Sequence, residues 1–171
     1  RIGWICHSAR LAIAGYAFWI LFMLVTFWSD RAAVVRNFGL RMKTDISGMA
    51  DWQRLAGFSI DFGLWILVAF ACWSGWRLFS NYLAGRIFTA ESALLMRRLA
   101  VYGLSAQLLA LLARPVIFIV LSLHLPPGQR MLGFFTQPPD LLNVLFLFAI
   151  LAFSQIFLVA ADVADDHAGI V

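Results

Sequence analysis

Four stretches of the chain, about 11–28, 58–79, 99–123 and 141–161, run almost without charge, and the polar residues gather in the segments between them. At 1.5 Å rise per residue, apolar runs of roughly 18 to 25 residues are long enough to cross a hydrocarbon core of about 30 Å. The pattern therefore predicts an all-α, polytopic membrane protein: a single domain over residues 1–171 with four transmembrane helices in one bundle. Phe18, Trp19 and Phe22 lie in the first span and Trp28 near its end, while Asp61 stands near the start of the second, ahead of Trp65, Trp73 and Trp76. The third is apolar except for Gln107 and Arg114, and it contains Pro115. The first run is too long, and lacks the small-residue cleavage site, to be read as a signal peptide.

The connections differ in character. Loop one, 29–57, mixes Arg31, Arg36, Arg41, Lys43 and Arg54 with Asp30, Asp45 and Asp51, and its segment MADWQRLAGF suggests a short interfacial helix. Loop three contains LPPGQR and TQPPD, whose prolines argue against regular helix and for turns at the membrane surface. Between spans two and three, LAGRIFTAESALLMRRLA (83–100) reads as an interfacial helix start. Gly85 permits a tight turn and Ile87 and Phe88 precede Thr89, whose hydroxyl can cap a helix beginning at Ala90. Glu91 in the first turn complements the positive end of the helix dipole. Leu94, Leu95, Leu99 and Tyr102 recur at helical spacing, which leaves Arg97 and Arg98 toward lipid headgroups or a cytoplasmic partner.

Composition agrees with the pattern: 63% of residues are hydrophobic and 13% charged, more apolar surface than a soluble domain of 171 residues can hide. The net charge of +4 comes from basic residues flanking the apolar runs, where they orient helices and meet anionic lipid, so no direct nucleic-acid binding is expected. Cys6 and Cys72 have neither metal spacing nor a disulfide framework and read as small packing residues. Basic residues tie between the two sides. The concentration of Arg77, Arg86, Arg97 and Arg98 around one acid in loop two favours both termini in the cytoplasm.

The residue inventory points away from an enzyme. His7, His124 and His167 lie at or beyond span ends, which disfavours haem ligation inside a bundle. Ser105 and His124 are separated by roughly 28 Å along one helix, too far for a protease pair. No span carries a lysine for Schiff-base chemistry, and neither HExxH nor a glycine-rich phosphate loop occurs, so no catalytic residue, cofactor or metal is expected. Arg114 is the one strong charge deep in a span, and it calls for a polar partner from another helix, Asp61 first and then Asn143.

The segment GRIFTAESALLMRRLAVYG resembles the box that follows the second span in the bacterial membrane protein family of unknown function 2975, where a glycine, an IFT or IFS triplet, an acid and a basic pair precede the third helix. The four spans, the long first loop and the acidic ADVADDHAGIV tail, with Asp162, Asp165 and Asp166, are similar to that family's pattern over most of the chain. The resemblance implies no catalytic residues. It implies an inner-membrane protein acting through protein or lipid contacts, as a membrane partner or modulator of a small helix-turn-helix regulator. The alternative is an accessory subunit packed against a larger membrane complex.

Overall fold

A computed structural model describes residues 3–126, 130, 133 and 136–168, with side chains only as far as Ala161 in the last helix. The described residues form five helices and no strand: α1 (Gly3–Ser29), α2 (Arg31–Met42), α3 (Asp51–Leu83), α4 (Ala90–Ser122) and α5 (Pro138–Ala168). Four of them, α1, α3, α4 and α5, are long and apolar enough to cross a membrane, and the chain is an all-α, four-span membrane protein.

Each helix is longer than its apolar run because local chemistry extends it. The MADWQRLAGF segment is not a separate interfacial helix; residues 51–58 are the first turns of α3, continuous with the span. The Gln53 side chain explains this: its carbonyl accepts the Ala50 amide at 2.8 Å and its amide nitrogen donates to the Val120 carbonyl at 2.6 Å. One glutamine thus caps the start of α3 and ties it to the last turn of α4. The TQPPD prolines do not interrupt helix either. Pro138 is the first residue of α5, a position where the missing amide would have had no intrahelical partner. The LPPGQR segment lies mostly outside the described residues.

Loop one holds a helix that the apolar pattern did not announce. Asp30 caps α2 by accepting the Ala32 and Ala33 amides at 2.9 and 3.2 Å, and Lys43 ends it in the left-handed conformation, φ 50°. Beyond it, the Ser47 amide and hydroxyl hold the Asp45 carboxyl below its ordinary pKa. Val34, Met42, Ile46 and Met49 close over Trp28 and over Ile117, Phe118 and Leu121 of α4, making a compact buried cluster at one end of the molecule.

The spans are layered in the order α1, α3, α4, α5: α3 packs along α1 and α4, and α5 packs along α4. Small residues set the close approaches. A Cβ at Gly57 would overlap the Trp28 ring, so α1 meets α3 there across bare backbone. The outermost helices α1 and α5 do not pack along each other, and the bundle is open between them.

Candidate functional site

Two regions collect the residues singled out by sequence: the end of the bundle carrying loop two, and a groove between α1 and α5.

At the first, the chain leaves α3 at Leu83 and turns at Gly85, whose φ of 77° favours glycine. Thr89 then caps α4: its hydroxyl oxygen accepts the Ser92 amide at 3.3 Å, and α4 begins at Ala90, as the pattern predicts. The Ser92 hydroxyl donates to the Arg86 carbonyl at 2.7 Å and locks the turn from within. Glu91 bridges two cations, Arg77 at 3.3 Å and Arg86 at 3.4 Å, and Arg86 also donates to the Asn81 side-chain oxygen at 2.9 Å. Ile87 is half-buried, and Phe88 stacks on Phe157 of α5 with ring centres 5.6 Å apart. The turn is therefore clamped to both α3 and α5. Arg97 and Arg98 remain exposed on α4 and form no ion pair with a described residue. The side chains of Asp162, Asp165 and Asp166 lie outside the described residues.

Beside the second region, the expected intramembrane pair is corrected. Arg114 binds Asp140 at the start of α5, not Asp61, through two hydrogen bonds of 2.6 and 2.8 Å. Asp140 is also held by the Gln107 amide at 3.2 Å and by the Gln137 backbone amide at 2.8 Å. It does two jobs at once: the third residue of α5, it satisfies an amide at the helix start, and it neutralises the arginine. Sequence reasoning placed Asp140 in a surface turn because of its two prolines, although proline at the first helical position followed by an acid is itself a helix-start signal. Asp61 instead accepts the Trp28 indole N–H at 2.9 Å, the contact that the bare Gly57 backbone permits one turn away.

Asn143 and Asp61 do share a site, though neither is the arginine's carboxylate partner. Both line a cavity of about 480 Å³ that opens between α1 and α5 and is floored by α3 and α4. Tyr16, Trp65 and Gln107 supply the other polar edges; Ile13, Val68, Leu99 and Leu147 are among its apolar walls. The Trp65 indole is spent on the Ala17 carbonyl at 3.1 Å. Among the described residues, no group of three or more His, Cys, Asp or Glu side chains is arranged to hold a metal ion. Comparison of the chain with models of protein families, with curated proteins and with solved structures finds no match.

Proposed function

We propose that this chain is a non-enzymatic, multi-pass protein of the bacterial inner membrane, a member of the family of unknown function 2975, that works by binding another protein at its loop-two end. Both termini and loop two lie in the cytoplasm in this reading, and the partner is a soluble regulator of the small helix-turn-helix kind or a membrane protein it controls. One observation carries the proposal. Beside a turn where Arg77 and Arg86 share the single carboxylate of Glu91, Arg97 and Arg98 stand exposed with no ion pair to a described residue, on a helix whose start is capped and clamped to its neighbours. A pair of cations on a fixed backbone is suited to an acidic protein surface, because little backbone order must be gained on docking.

Exchanging Arg97 and Arg98 together for glutamine tests the proposal. Recovery of the partner from gentle-detergent extracts should fall sharply while the amount of protein in the membrane stays normal. Equal recovery of every co-purifying protein by the double variant refutes it. A second reading, an accessory subunit of a larger membrane complex, is favoured by the open α1 and α5 edges and their exposed Phe18, Trp19, Phe146 and Phe153. An integral protein that remains bound to the double variant would support that reading instead.

A further inference from the structure

The groove between α1 and α5 contains more hydrogen-bonding capacity than the described protein uses. Asp61 gives Oδ2 to the Trp28 indole and leaves Oδ1 unbonded; Gln107 gives its amide nitrogen to Asp140 and leaves its oxygen unbonded. The Asn143 amide and the Tyr16 hydroxyl make no hydrogen bond with any described residue. Four helices thus line one mainly apolar space with four incompletely used polar groups, two of them, Tyr16 and Asn143, on exposed residues. At hydrocarbon depth water is scarce, and polar groups left unpaired there are expensive.

Three of the four polar groups are gathered along the groove: Asp61, Gln107 and Asn143 lie toward the end that carries α2, whereas Tyr16 stands with Ile13, Ala71, Cys72 and Leu99 nearer loop two. We propose that this groove binds a single-chain amphiphile whose head is a hydroxyl or an amine, with the head donating to Asp61 and Gln107 and the chain lying along the apolar wall. The unused oxygens of Asp61, Gln107 and Asn143 favour a donor head, and the Asn143 amide nitrogen can donate in return to a hydroxyl. A carboxylate or phosphate head would meet the Asp61 carboxylate, and the neighbouring Arg114 guanidinium is already engaged by Asp140.

The cavity volume of about 480 Å³ lies within the range of small-molecule sites.

The test uses the purified full chain in phosphatidylcholine nanodiscs and three probes with the same brominated alkyl chain: an alcohol, an amine and a carboxylic acid. Bromine quenches tryptophan fluorescence at short range, and Trp65 lines the groove. The alcohol and the amine should quench saturably, and the acid should require at least about tenfold more. Asp61→Asn should narrow the difference between amine and acid by about tenfold. Ala110→Phe, which fills the groove with an apolar ring, should abolish saturable quenching while helical content and particle size stay unchanged. Equal quenching by all three heads would show a non-selective lipid crevice and overturn the proposal. So would quenching that never saturates or that survives Ala110→Phe, and so would a wild-type particle holding two copies that Ala110→Phe reduces to one.

Discussion

Arg114 shows how one side chain can be secured in a span. Its depth in α4 requires a partner, and the bidentate geometry with Asp140 is the strong form of the arginine–carboxylate contact. Asp140 is only 7% exposed, so removing the arginine strands a carboxylate with two remaining donors, Gln107 and Gln137. Arg114→Leu should destabilise the protein by on the order of 3 kcal/mol. Asp140→Leu should do the same, and the double replacement should recover much of the loss; denaturant titration in detergent measures all three. Asp61→Asn should not resemble Arg114→Leu, because its oxygen can still accept the Trp28 indole. An Asp61 variant as unstable as the Arg114 variant would contradict the assigned pairing. Thr89 belongs to the same scale: Thr89→Ala removes the cap from the Ser92 amide and should cost about 1 kcal/mol, read in the same titration.

At the scale of elements, the molecule depends on contacts between helices that lipid does not drive together. Trp28 is the clearest case. It lies against the bare backbone of Gly57, joins the cluster formed by α2 and the end of α4, and donates to Asp61. A side chain at position 57 cannot coexist with that ring. Gly57→Val should displace Trp28, break its bond to Asp61 and loosen α2 from the end of α4 together. The expected readout is a shifted tryptophan emission and faster proteolysis within 43–50, with helical content nearly unchanged. Gly57→Ala should act in the same direction, since the overlap begins at Cβ. A Gly57→Val protein as resistant to protease as the wild type would show that Trp28 does not hold this end closed.

For the whole molecule, the layered order α1, α3, α4, α5 separates two ends of different character. One carries the compact cluster around α2, the other the arginine-rich turn between α3 and α4. Under the proposed orientation the second end faces the cytoplasm. With Cys6 and Cys72 replaced by serine, Arg86→Cys should resist an impermeant maleimide in intact cells and react after permeabilisation. Ready labelling of intact cells would invert the arrangement and place the α2 cluster in the cytoplasm instead.

The number of spans, the all-helical class and the cap at Thr89 were legible in the sequence because each depends on near neighbours. Hydrophobic run length reports on the bilayer, and a threonine three residues before Ser92 reports on one helix end. The same local signals misjudged 49–58 and 136–140, where a competing rule won: Gln53 caps α3 through a contact with α4, and Pro138 opens α5 instead of ending a turn. The partner of Arg114 and the groove shared by Asp61, Gln107 and Asn143 were decided only by tertiary structure. A charge in a span demands a counterpart, but composition and spacing do not say which helix brings it there; the order in which α1, α3, α4 and α5 pack does. That order places Asp140 beside Arg114 and leaves Asp61 to Trp28, and the separation of α1 from α5 opens the groove.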